Sequence, residues 1–215
     1  MKKRAAILCA MLMICLAAAA FAEAPVSNLY KPMASETFKA LVGGKSFEAR
    51  ISGWGSYGED EDAKYELTIT FCERTRFAPE AIDNLAEHDI LNFGDGSSIM
   101  VMEVTRDETG VTVKDGFDTG YSFFKAEDGD AYIAATDTDY PFYTDIFTVK
   151  VPLEKDVSFL DRSDPENLEG PVKLGFDELL NHLMEGTDFD PYNTRVTFDE
   201  NRKLVEFLYS YSPFN

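Results

Sequence analysis

Tyr65, Leu67, Ile69 and Phe71 alternate with Glu66, Thr68, Thr70 and Cys72, and this run limits the fold more than any other part of the chain. A period of two is that of a strand with one buried and one wetter face. The next segments are of the same kind. A short helix is expected where Pro79 opens a turn and Glu80 and Asp83 suit an amino-terminal dipole. Ile90 to Phe93, a turn through Gly94-Asp95-Gly96-Ser97, and Ile99 to Val104 come next. The last of these is apolar on both faces and is expected at the centre of a sheet. Lys64 to Thr105 therefore reads as core, with no reaction centre in it.

Strands continue at Gly110 to Lys114, Gly120 to Lys125, Ala131 to Ala135 and Asp145 to Leu153, divided by turn pairs such as Asp115-Gly116 and Asp128-Gly129. Upstream, Ser46 to Ser52 forms a strand that Gly53-Trp54-Gly55-Ser56-Tyr57-Gly58 is expected to break. Short strands at this spacing predict a mainly β (α+β) fold, an antiparallel β-barrel or sandwich with a few short helices packed on it. Asp161 to Pro171 reads as a connecting loop. Phe176, Leu179, Leu180, Leu183 and Met184 then recur at helical spacing, and Gly186 stops the helix. A hairpin comes after it, Thr194 to Phe198 and Lys203 to Tyr209, which resembles a two-strand ending widespread among bacterial exported β-proteins. This helix and hairpin, 174–210, are expected to dock on the same core, which makes 23–215 one β-rich domain. Ser35 is placed to cap a short helix over 36–42.

The first 22 residues have the pattern of an export signal: Lys2, Lys3 and Arg4, an apolar run from Ala5 to Ala20, and Ala20-Phe21-Ala22 as cleavage site. No other segment is long enough to span a bilayer. The expectation is an exported protein, periplasmic, extracellular or at the cell envelope. Removing the leader makes the formal charge of −19 more negative by the three basic residues lost. Nucleic acid is then a poor partner, because phosphate contacts need clustered cations. An unidentified protein or glycan at the envelope fits better. Two of the three cysteines, Cys9 and Cys15, leave with the signal, so Cys72 has no internal disulfide partner.

The motifs carry little chemistry. Gly53 to Gly58 matches G-x-G-x-x-G, but four acids, Glu59 to Asp62, stand next to it where a phosphate site requires a helix amino terminus. His88 and His182, the only histidines, fit no metal-ligand spacing and read as surface residues. There is no G-x-S-x-G elbow, and Cys72 beside Glu73 lacks the surroundings of a low-pKa thiol. No catalytic residue is assigned. Asp128, Asp130, Asp137 and Asp139 offer hard oxygen ligands in turns, an incomplete calcium pattern; no other cofactor is implied. Aromatic residues outside the expected strands, Trp54, Tyr57, Tyr140, Phe142 and Tyr143, are the candidates for stacking on a ligand. The function expected is non-catalytic binding or an envelope-associated structural role. The alternative is an extracytoplasmic hydrolase of glycan or peptide that uses loop carboxylates.

Overall fold

The computed structural model describes residues 42–58, 63–94, 96–116, 119–167 and 169–212. The segment expected as an export signal, the acidic run 59–62 and, apart from Val42, the helix expected over 36–42 lie outside the described residues. The rest is mostly β and sandwich-like, with two short helices among the described residues and no closed barrel.

The larger sheet has seven strands in the order β10-β2-β1-β13-β14-β11-β12. They are β1 (Ser46–Tyr57), β2 (Lys64–Arg74), β10 (Tyr143–Leu153), β11 (Ser158–Arg162), β12 (Val172–Leu174), β13 (Thr194–Phe198) and β14 (Leu204–Ser210). A smaller sheet has the order β3-β9-β8-β7-β6: β3 (Arg76–Phe77), β6 (Glu103–Arg106), β7 (Val111–Lys114), β8 (Gly120–Lys125) and β9 (Tyr132–Thr136). β4 (Ile90–Asn92) and β5 (Ser98–Met100) form a separate hairpin, and α1 (Pro79–Asp83) and α2 (Phe176–Glu185) complete the described elements. All pairings are antiparallel except β11 with β14.

Period two decides the faces of the larger sheet. Ala49 lies opposite Phe71 and Ile51 opposite Ile69, while Phe147 and Val149 continue the same rows on β10. This apolar face, with Val196, Phe207 and Phe159, packs against Phe176, Leu179 and Leu183 of α2 in one core cluster. Glu178 on the first turn accepts the Gly175 N–H at 3.0 Å, and Gly186 leaves the helix at φ 75°. The smaller sheet, α1 and the hairpin build a second cluster around Phe77, Phe93, Phe123, Ile82 and Leu91.

Several expectations need correction. β1 does not break at Gly53. Ser52 is accommodated as a bulge, and pairing resumes from Gly53 opposite Thr68 to Tyr57 opposite Lys64. Glycine in a strand thus marked a bulge and not a turn. Ile99 to Val104 is not central: β5 pairs only with β4, β6 is the edge of the smaller sheet, and Met100 and Met102 are exposed. The loop expected over 161–171 starts two residues later, because Asp161 and Arg162 belong to β11; β11 and β12 are too short for an alternation to register. The stretch from Lys64 to Thr105 serves two cores. It changes sheets at Thr75, whose N–H donates to the Phe142 carbonyl at 2.8 Å and whose hydroxyl meets that of Thr144 at 3.0 Å. Both chain crossings between the sheets, β2 to β3 and β9 to β10, are therefore pinned together, and a groove opens beside them.

Candidate functional site in the groove between the sheets

The outer face of the larger sheet is polar because the residues that alternate with its core row are charged or hydroxylated. Ser52, Thr70 and Thr148 form a hydroxyl row across β1, β2 and β10, with spacings of 2.8 and 2.9 Å. Further along the same face, Arg50 donates through Nη1 to both Asp145 oxygens (2.9 and 3.1 Å) and through Nε to Asp190 (2.9 Å). This forked arrangement ties β1 to β10 and to the loop that precedes β13. Cys72 lies beneath, its thiol 3.4 Å from Asp145, and burial followed by the Asp145 charge pushes its pKa up to about 12. It is not a nucleophile at physiological pH.

Glu48, Arg74 and Ile133 border both lobes of the groove, at the waist where the two meet, and Tyr143 lines the smaller lobe beside them. The smaller lobe, about 390 Å³, runs from them along Ile133, Ala134 and Ala135 of β9 to Pro141, with Phe124, Asp139 and Tyr192 at its margins. The larger lobe, about 740 Å³, shares Glu48, Arg74 and Ile133 and continues past Glu73, Arg76, Glu127 and Asp128. Tyr143 sits beside Glu48 and Arg74, close enough for its hydroxyl to interact with both. Burial raises the Glu48 pKa above its ordinary value, while Arg74, Arg195 and the Tyr143 hydrogen bond pull it back. The Tyr143 pKa rises to about 12, through burial and then the Glu48 charge.

Tyr192, which lines the smaller lobe, meets Tyr140 edge to face at 5.1 Å. The Tyr192 pKa is lifted to about 12, by burial and then Asp190. The loop that carries Tyr192 is braced by Asn193, whose side-chain amide accepts from the Asp190 N–H at 2.9 Å and donates to the Asp188 carbonyl at 2.9 Å. Asp188 has a raised pKa, first from partial burial and then from the Asp190 charge and their shared hydrogen bond. A carboxyl with a raised pKa in the folded state makes its full contribution to stability below its unfolded value and loses it as pH rises through the folded one. Asp188→Asn is therefore expected to raise the melting temperature at pH 7 by roughly 1–2 °C, small because solvent screens an exposed carboxylate. The gain should vanish below the ordinary value of 3.8, where the acid is neutral in both states. Melting curves from pH 3 to pH 7 check this, and a gain that persists at the acid end refutes it.

The structure divides the aromatic candidates. Tyr143 lines the smaller lobe, and Tyr140 packs against Tyr192, which lines it too. Phe142 is stacked on Phe93 with centroids 4.4 Å apart, so it packs the second core cluster and does not face a ligand. Trp54 and Tyr57 are exposed, but on the extended end of β1 and not in a loop. Three residues apart on a strand, they point to opposite faces and cannot sandwich one ligand.

The four aspartates are not brought together. Asp128 is held by Arg76 at 2.7 Å and borders the larger lobe, and its other oxygen accepts the Asp130 N–H at 3.2 Å. Asp137 lies in the turn after β9, its N–H on the Gly120 carbonyl, and Asp139 borders the smaller lobe. Among the described residues no three His, Cys, Asp or Glu side chains converge as a metal site. His182, expected at the surface, is half-buried against the rings of Phe159, Phe189 and Tyr209.

Glu48, Arg74, Tyr192 and the Ile133–Ala135 shelf were not foreseen. Tyr192 carries the same signal as Tyr140, an aromatic residue beside a proline between strands. The others sit in ordinary strand positions, and only tertiary pairing joins them.

Comparison with family models, characterised proteins and solved structures finds no match. No helix among the described residues is long and apolar enough to cross a membrane. The groove itself is therefore the guide to function.

Proposed function

We propose that this is an exported, non-catalytic binding protein that takes its ligand in the groove between the two sheets. The single observation that carries this reading is the wall shared by the two lobes: Glu48 and Arg74, polar groups of opposite sign, border both together with apolar Ile133, and Tyr143 joins them in the smaller one. Convergent polar groups in a partly apolar cleft are the usual make-up of a ligand site. The waist groups interact electrostatically with one another, which suits recognition. Cys72 is held as a thiol, and neither histidine borders the groove. The leader pattern supports export.

One observation favours the hydrolase alternative: Glu48, with its raised pKa, borders the same lobe as Asp139. Two acids bordering one cleft, one of them with a raised pKa, are the groups a two-carboxylate hydrolase needs.

Titration of the isotope-labelled protein with short peptides and oligosaccharides, followed by amide NMR, tests the proposal. Saturable shifts centred on Glu48, Arg74, Ala134 and Tyr192, with the probe recovered intact by mass spectrometry, are expected. Saturable shifts confined to the far end of the larger sheet would overturn the site. A cleaved probe, with cleavage lost in Glu48→Gln, would replace the binding protein by the hydrolase.

A further inference from the structure

We infer that the groove takes a peptide segment in extended conformation, neutral to basic in charge, in preference to a glycan or an acidic small molecule. This rests on the reading of the groove as the binding site.

The shape comes first. Two lobes of about 390 and 740 Å³ adjoin along Glu48, Arg74 and Ile133, so the space continues from one to the other, which suits a chain more than a compact metabolite. The two walls then differ in chemistry. β9 offers the apolar row Ile133, Ala134 and Ala135, while the larger sheet offers Glu48 and Arg74. An extended peptide sends alternate side chains to opposite sides, so it can lay apolar groups on the shelf and polar ones on the sheet. Its amides also carry both donors and acceptors. At the waist, the Arg74 guanidinium can donate to a peptide carbonyl and the Glu48 carboxylate can accept from a peptide N–H or a lysine.

The aromatic groups argue against sugar. Stacking on a pyranose requires an open ring face, and a row of sugars requires several. Tyr143 is buried, and Tyr192 and Tyr140 are turned edge to face towards each other. Phe124 is the lining ring with a large exposed share, 38%. One such ring fits one apolar side chain.

Charge sets the sign of the ligand. Glu48, Glu73, Glu127, Asp128 and Asp139 border the groove against Arg74 and Arg76, and Arg76 is already paired with Asp128. Acidic ligands meet repulsion, and a lysine or arginine side chain finds its complement.

Fluorescence anisotropy on the full exported chain is the test, with three labelled probes: a hexapeptide of alternating lysine and valine, one of alternating glutamate and valine, and an N-acetylglucosamine hexamer. The lysine peptide is expected to bind saturably. Glu48→Gln should weaken it about tenfold, on the order of one truncated charge contact, at an unchanged fold by melting temperature. Glu154→Gln, at an exposed position just past the far end of β10, should leave binding unchanged and so reports mere attraction to an acidic protein. Glycan binding that Glu48→Gln abolishes would overturn the peptide and keep the groove. Failure of the lysine peptide to bind, or equal binding of the glutamate peptide, also overturns the peptide assignment. The groove itself falls if binding of every probe is indifferent to both Glu48→Gln and Tyr192→Ala.

Discussion

Phe71→Ala is expected to cost about 3–5 kcal/mol, the range for deleting a well-packed aromatic side chain. Phe71 is 1% exposed on β2, between β1 and β10. Its ring meets Phe147 at 4.9 Å, Phe47 at 5.5 Å and Phe198 at 5.7 Å, so it joins four strands of the larger sheet. The cavity cannot close by a small shift, because each of those rings is fixed by its own strand register. Total stabilities of roughly 5–15 kcal/mol make such a loss a large share of the whole. Urea unfolding is the measurement: the midpoint should fall steeply with little change in slope. A loss under about 1 kcal/mol would show that the cluster does not carry the fold.

Gly110→Ala should be the second severe change, by a different mechanism. Gly110 precedes β7 at φ 157°, and its carbonyl accepts the Asp107 N–H at 3.0 Å. A methyl group there would fall on the Phe123 carbonyl oxygen of β8, which is backbone and cannot swing aside. Val111 pairs with Phe123, and Phe123 is fully buried, so relief requires the β7–β8 ladder to part. A cost of about 3 kcal/mol, at the upper end for overpacking, is expected. Gly129→Ala is the comparison. That glycine also has positive φ, at 76°, but a methyl group there meets open space, so only the backbone penalty of about 1–2 kcal/mol remains. Equal losses for the two variants in thermal unfolding would rule out the clash.

How much the sequence disclosed depended on the range of the interaction. α1, α2, β8 and the β13–β14 hairpin were readable because their signals are local: proline and acids at a first turn, apolar spacing of three and four, turn residues between alternating runs. Gly53 to Tyr57 misled because glycine has two uses. Nothing in the local pattern says that β2 will supply partners for all of that stretch. Ile99 to Val104 misled because apolar residues on both faces usually mean a covered strand, yet Met100 and Met102 here stand in solvent. The groove was barely visible. Tyr140, Tyr143 and Asp139 stand out in the sequence as loop residues, but Glu48 and Arg74 are common charged residues on a polar strand face. What sets them apart is the approach of β9, a contact between segments far apart in sequence.

The pairing of β1 with β13 has a consequence for the order of folding. Ser46 lies opposite Thr197, and their hydroxyls are 2.8 Å apart across 151 positions of sequence. The smaller sheet, by contrast, is built entirely from strands between Arg76 and Thr136, all but β3 paired with their sequence neighbours. Loop-closure entropy then favours the smaller sheet as the early structure, while the larger one waits for the last strands to arrive. A chain delivered amino terminus first would hold β1 without its β13 neighbour until almost the entire polypeptide has emerged, and through that interval its apolar row is open to any chaperone that binds extended segments.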